Sequence, residues 1–501
     1  MPAHVLGIDV GTGGTRAVVV DQGGRIVASA TEEHEAFASL QIGWAEQRPE
    51  DWWRAAGAAI RRALAHARLR GTDISCVGLT GQMHGAVMLD ASGDAVRPAP
   101  IWCDVRTSRQ CAELTERIGA QRIIQWTCNP ALANFTLTKL LWVQQHEPGL
   151  WSRVRAVMLP KDYVRFRLTG EKATDVADAS GTLMLDVARR RWSEEMLQAA
   201  GIDRMVLPSL HESPDVCGTI SKAGADASGL AAGTPVVAGA GDQAAGALGL
   251  GIVSPGAVSA TIGTSGVVFA ATDRPAVDPR GRLHTFCHAI PGRWHVMGVT
   301  QAAGLSLRWF RDQFARDGDA GGPASYDQLT EEAAAVSPGS EGLLWAPYLM
   351  GERTPHLDPD ARGALVGLTA SHTRAHAVRA VLEGVAFSLK DTLTILSEMD
   401  VPMTTIRLGG GGARSPLWRQ IQADAYARDV EIVEAEEGAA YGAAILAGVG
   451  GGLWPSVDAA CASVVRVAAG VRPNERGAAA MTTGYAAYRR VYPAIKSIFR
   501  T

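Results

Sequence analysis

Val5–Asp21 reads VLGIDVGTGGTRAVVVD, an apolar run that carries one aspartate, Asp9, breaks at Gly-Thr-Gly-Gly-Thr and resumes as AVVVD. Two apolar strands joined by a glycine-rich turn make a hairpin, because glycine reaches positive φ at little cost. A hairpin alone needs neither a carboxylate in its first strand nor so open a turn. Asp9 is costly there unless it is paired, hydrogen-bonded or bound to metal. It either bonds the turn amides or holds Mg²⁺ beside a phosphate. The rest of the chain weighs on that choice.

Ala257–Thr272, AVSATIGTSGVVFAAT, repeats the pattern of strand, Gly-Thr-small turn and strand. Gly11-Thr12-Gly13 and Gly263-Thr264-Ser265 lie about half of the 501 residues apart. That period is too long for a solenoid and points to a duplicated domain, each copy opening with a hairpin. Helical stretches such as Pro49–Ala67 sit between strands such as CVGLT, and Pro, Glu and Asp suit the start of that helix. The expected class is therefore α/β in two domains, residues 1–250 and 251–501. Two such turns facing each other would offer consecutive main-chain amides to a shared anion, which favours the metal reading of Asp9.

Composition narrows the partners. Apolar residues make up 47% and charged residues 20%, and a net charge of −3 comes without a Lys/Arg run. These values suit a globular protein with a large interior and argue against nucleic acid or a membrane surface as partner. Seven scattered cysteines, odd in number and without a CxxC, argue against a disulfide framework or a zinc ribbon. With no leader-like N-terminus and no uninterrupted apolar run of membrane-spanning length, a cytoplasmic location is expected.

No GxxxxGK[ST] occurs, so the phosphate site is not a P-loop. GAGDQA, Gly239–Ala244, fits a dinucleotide fingerprint only loosely and lacks the acidic residue roughly 20 positions on. Asp242 within it has two readings. On spacing alone a helix N-cap is the stronger one. The other is a general base accepting a proton from a hydroxyl that attacks ATP. His284, Cys287 and His288 do not make a four-ligand zinc pattern and read as packing residues of the second domain.

The chain resembles the FGGY carbohydrate kinases, and within them the xylulokinase group, over nearly its whole length. The segments that carry the resemblance include GIDVGTGGTRAVVVD, GLTGQMHGAVMLD, LPKDYVRFRLTG, DVADASGTLMLDV, GAGDQAAGALGLG, ATIGTSGVVFA, HTFCHAIPGRWHVMG, YLMGERTPH and LGGGGARSPLWRQIQADA. Their shared order and spacing are far more specific than any one of them.

The resemblance implies two ribonuclease-H-like, actin-like domains facing each other across a deep cleft. Sugar would bind mainly on the N-terminal side, and ATP with Mg²⁺ mainly on the C-terminal side. It implies ATP-dependent phosphorylation of D-xylulose to D-xylulose 5-phosphate. Asp242 is then the catalytic proton acceptor, and Asp9 the second catalytic acid, tied to the metal. Met83, His84, Asp242 and Gln243 contact the sugar. Thr12 and Gly13 with Arg16 form the first phosphate loop, Gly263 and Thr264 the second, and Gly410, Gly411 and Gly412 the adenosine loop. A homodimer is implied as well. Gln243, where many of the group carry Asn, and Val105 in WCDVRT depart from the usual pattern and bear on sugar identity. The alternatives are a ribulose or pentitol kinase of the same family, or a non-catalytic actin-fold nucleotide switch. GERTPH, Gly351–His356, belongs to the pattern, but its residue types assign it no chemistry.

Overall fold

The computed structural model describes residues 4–317, 322–434 and 438–499. Two seven-stranded sheets form its frame. The first uses β1 (His4–Val10), β2 (Gly14–Asp21), β3 (Ile26–Glu33), β4 (Ile74–Gly81), β5 (Val216–Thr219) and β6 (Pro235–Val237). The second uses β7 (Gly256–Ile262), β8 (Gly266–Thr272), β9 (His284–Cys287), β10 (Trp294–Thr300), β11 (Met403–Gly410), β12 (Val430–Val433) and β13 (Val467–Val471). The helices that matter for the site are α1 (Pro49–Ala67), α2 (Asp242–Gly249), α3 (Gly304–Phe314), α4 (Arg374–Glu398) and α5 (Gly438–Gly450).

Spatial order in the first sheet is β5-β6-β4-β1-β2-β3, with Ala240–Gly241 added beside β4. In the second it is β13-β12-β11-β7-β8-β10-β9. In each, an opening hairpin pairs antiparallel, its first strand takes a parallel neighbour from far along the chain, a second parallel strand follows, and an antiparallel strand closes the edge. The duplication expected from two Gly-Thr turns is therefore a duplication of topology, and the fold is α/β as the sequence implied.

Alternation along β1 decides what each face of the first sheet holds. Leu6, Ile8 and Val10 pack with Trp52 and Ile60 of α1. Val5, with Val18 and Val20 of β2, packs on the other face against Ala244, Ala245 and Leu248 of α2 and Ala440, Ala444 and Ile445 of α5. A helix from the last quarter of the chain thus lies under the first sheet. It fits because Gly7 and Gly78 sit beneath it: a Cβ on either would overlap the carbonyl oxygen of Ala440 or Ala443. Burial on this face joins the two halves of the chain into one unit.

His284, Cys287 and His288 do serve packing, within the second half and across to the first. His288 lies 2.9 Å from the Ile252 carbonyl oxygen and its ring meets His295 and Phe269, while the other two residues reach the first half. His284 lies 5.6 Å from the Phe135 ring, and the Cys287 amide donates to the Ser180 hydroxyl. Among the described residues no helix is long and apolar enough to cross a membrane.

Candidate active site

Strand register alone brings the two carboxylates together. Asp9 of β1 stands beside Thr80 of β4, and Thr80 stands beside Ala240 in the next parallel strand. Asp242 follows two residues later, so both acids lie at the C-terminal edge of parallel strands, where ligands of open α/β sheets bind. Across the hairpin Asp9 faces Arg16.

Asp242 does not cap its helix. Gly241 holds the N-cap position with φ −60° and ψ 154°, and Asp242 is the first residue of α2. The N-cap reading fails for that reason, and the carboxylate is left to face the cleft. Among the described residues its hydrogen-bonding neighbour is Gln243, whose side-chain amide lies 3.4 Å away. Burial first, and the charge of Asp9 second, push Asp242 up to about 7. Burial pushes Asp9 up to about 6, against the pull of Arg16. The Asp9 Oδ1 atom is shielded from solvent and accepts no hydrogen bond. Two carboxylates that resist ionising together, one with an idle oxygen, form a donor set suited to a hard divalent cation.

Asp9, Asp242 and Gln243 share a cavity of about 420 Å³ with Gly410, Gly411 and Arg414. Gly410 takes φ +71°, and a Cβ there would come within 2.5 Å of the Ile262 carbonyl oxygen. Only glycine turns the end of β11 so tightly against β7. A second cavity of about 550 Å³ adjoins the first at Gly411 and Arg414, and Gly263, Thr264, Gly412, Arg308 and Tyr326 also line it. The Gly263–Thr264 turn is tied to α3: the Thr264 carbonyl accepts the amides of Ala303 (3.0 Å) and Leu305 (3.1 Å).

Thr12, Gly13 and Arg16 line neither cavity. The Thr12 carbonyl accepts from the Gln47 amide at 2.8 Å, and its hydroxyl accepts the Trp102 indole N–H at 2.8 Å. An added Cβ on Gly13 would meet nothing within 4 Å, so the turn is open on that side.

Met83 and His84 follow β4 and reach the same edge from the side. A Cβ on Gly241 would lie 2.8 Å from Met83 Cγ, which places Met83 directly against the residue before Asp242. His84 takes φ +67°. Its Nδ1 lies 2.8 Å from the Gly181 carbonyl oxygen, and a carbonyl only accepts, so Nδ1 carries the proton. Burial holds the ring well below its usual pKa, hence neutral. Nε2 is then a lone-pair acceptor, suited to a ligand hydroxyl.

Sequence reasoning missed the residues that hold His84. The Lys139 ammonium and the Thr136 hydroxyl both donate to the His84 carbonyl, at 2.8 and 3.2 Å, and Phe135 stacks on its ring at 4.8 Å. The signal was present: Lys139 stands in the apolar helical run TLTKLLWV, where a solvated lysine has no reason to be.

Duplicated α/β halves meeting at paired acids and glycine-lined cavities suit a phosphotransferase. Residues 4–249 match the N-terminal domain of the FGGY family of carbohydrate kinases, and residues 258–451 match its C-terminal domain. The chain belongs to that family. It is 40% identical over 491 residues to a xylulose kinase of Lactococcus lactis, covering 98% of this chain and 96% of that one. It is 38% identical over 495 residues to a xylulose kinase of Bacillus subtilis, covering 99% and 98%. The solved structure of xylulose kinase from Rhodospirillum rubrum superposes with a TM-score of 0.90 at 30% identity, over 99% of this chain and all of that one. Membership brings ATP as a substrate and a divalent metal as its companion.

Proposed function

We propose that the chain transfers the γ-phosphoryl group of MgATP to the terminal hydroxyl of D-xylulose, giving D-xylulose 5-phosphate and ADP. One observation carries the mechanism. Asp242 begins a helix without capping it, and its carboxylate stands between the Met83–His84 side and the Gly410–Gly411 side. The substrate hydroxyl forms the new O–P bond, the bond from Pγ to the ADP oxygen breaks, and the hydroxyl proton passes to Asp242. A base with proton affinity near neutrality suits that transfer.

Asp9 is the residue that would hold Mg²⁺, through its idle oxygen or a bound water. The cation would neutralise phosphate charge as it develops. Gly263, Thr264 and Gly410 to Gly412 cradle the nucleotide, and the Thr12–Gly13 turn with Arg16 supplies the first phosphate loop. Met83 covers the apolar side of the sugar while His84 Nε2 accepts from a hydroxyl, with Gln243 beside them. The substrate assignment follows the xylulose kinases to which the chain is similar. The domains divide at residues 250 and 251, and the enzyme is a cytoplasmic homodimer.

ADP release with MgATP against D-xylulose, L-xylulose, D-ribulose, L-ribulose, D-arabinitol, glycerol and no sugar tests the proposal. Strongest stimulation by D-xylulose is expected, reduced by on the order of 10²–10⁴ in Asp242→Ala. A better response to ribulose or a pentitol overturns the substrate and keeps the mechanism. Turnover indifferent to every sugar overturns both. Sedimentation of the purified chain reads the dimer.

A further inference from the structure

The GERTPH loop carries a cation that the reaction as described does not use. Glu352 anchors the loop to the end of β10 and to α4. Its Oε1 accepts the amides of Gln301 (3.0 Å) and Arg353 (2.8 Å), and its Oε2 accepts the hydroxyl of Thr300 (2.5 Å) and stands 3.5 Å from that of Ser388. Thr354 adds two bonds to Val299. The backbone on both sides of Arg353 is therefore fixed to the second sheet.

The side chain is mounted differently. Among the described residues the Arg353 guanidinium makes no ion pair and no hydrogen bond, although the residue is only half exposed. The nearest carboxylate in sequence, Glu352, is spent on other donors, and burial pushes it up to about 8, so it is mostly uncharged at neutral pH. A half-buried arginine without a partner keeps five donors idle.

Its position names the missing partner. Val299, bonded twice to Thr354, packs in one buried cluster with Met83 and with Phe135, the ring stacked on His84. In keeping with that nearness, the Arg353 charge adds to the burial that holds down the proton affinity of His84, Lys139 and His284. The same charge acts on Cys103, whose neighbour Trp102 bonds Thr12. Arg353 thus belongs to the second half of the chain yet faces the wall of the first half that holds His84. His84 presents a lone pair at Nε2, and Lys139 is buried with its donors given to the His84 and Asn134 carbonyls. That wall offers a sugar an acceptor at His84, and the opposite side supplies Arg353 as donor.

We propose that Arg353 is a sugar-binding residue supplied by the C-terminal half: its guanidinium donates to oxygen atoms of the bound ketose opposite His84. The proposal deepens the kinase reading of the cleft and rests on it. Sugar binding then joins the two halves through His84 on one side and Arg353 on the other, and the fixed loop keeps the donor in place.

The experiment compares the wild-type enzyme with Arg353→Gln and Arg353→Lys, measuring KM for D-xylulose and for MgATP, kcat, sugar-free ATP hydrolysis and thermal melting. Loss of a charge-assisted bond to a ligand predicts a rise in sugar KM on the order of 10–100-fold in Arg353→Gln. Partial recovery is expected in Arg353→Lys, with KM for MgATP and sugar-free hydrolysis within about twofold of wild type. A sugar KM unchanged within twofold in Arg353→Gln overturns the proposal, as does an equal loss toward MgATP. Should Arg353→Gln melt early, Arg353→Lys carries the same comparison at lower amplitude. Wild-type enzyme that turns over no sugar overturns the kinase reading and this proposal with it. Wild-type turnover with unaltered variants removes Arg353 alone.

Discussion

Asp9 on β1 and Asp242, the residue just beyond the Ala240–Gly241 strand two places away in the same sheet, lie close enough that the charge of Asp9 raises the proton affinity of Asp242. Asp242 rises from 3.8 to about 7, so the folded protein binds a proton that the unfolded chain has released. Stability from this group is complete below about pH 4 and is lost as pH rises through 7. Asp242→Asn removes that loss. In metal-free protein at pH 8 it should melt on the order of a few degrees above wild type, a gap that vanishes near pH 4. Turnover should meanwhile fall by on the order of 10²–10⁴. Melting curves at the two pH values check this. A variant that melts lower at pH 8 would show that the carboxylate is satisfied in the resting fold.

Gly181 is the floor beneath His84. A Cβ there would lie 2.6 Å from both Cε1 and Nδ1 of the ring, and Phe135 stacked on the ring limits its retreat. Gly181→Ala should displace the imidazole and break its bond to the carbonyl, freeing the tautomer. The expected outcome is a rise of about 5–30-fold in sugar KM with KM for MgATP little changed, because loss of one oriented hydrogen bond costs roughly 1–2 kcal/mol. Steady-state kinetics with each substrate varied in turn decides it. Equal effects on both substrates would place His84 outside the sugar pocket.

How much of this was legible follows from the range of each contact. The two hairpins, Asp9 and α1 are local: glycine at a turn, a carboxylate in an apolar run and a proline-led helix are visible within a few residues. The family resemblance supplied the roles that locality could not. Asp242 shows the limit of spacing, since a strand-end aspartate before a helix reads as a cap until Gly241 is found in that position. The supports of His84 come from Gly181 and Lys139, 97 and 55 residues away. Such partners meet only once the tertiary fold exists. The same holds for α5, whose small-residue face reads as an ordinary apolar helix until it is seen against Gly7 and Gly78.

That helix yields the last prediction. Gly442 of α5 lies against the backbone of α2, where a Cβ would overlap the Ala245 carbonyl oxygen and come within 2.5 Å of its carbonyl carbon. Ala245 is three residues beyond Asp242, so spreading the two helices moves the proposed base. Neither side of this contact is a flexible side-chain tip that could swing away. Gly442→Ala should therefore cost at least about 1–3 kcal/mol, the usual price of forcing atoms into a packed core. It should also lower kcat more than tenfold without selecting between the substrates. Gly246, one residue beyond Ala245, has nothing within 4 Å of its added Cβ. Gly246→Ala should stabilise α2 by about 0.5–1 kcal/mol through its better helix propensity. Chemical denaturation of the two variants side by side separates close helix contact from helix propensity. Equal stability in both would mean that α2 and α5 can part freely, and that the cleft does not depend on their contact.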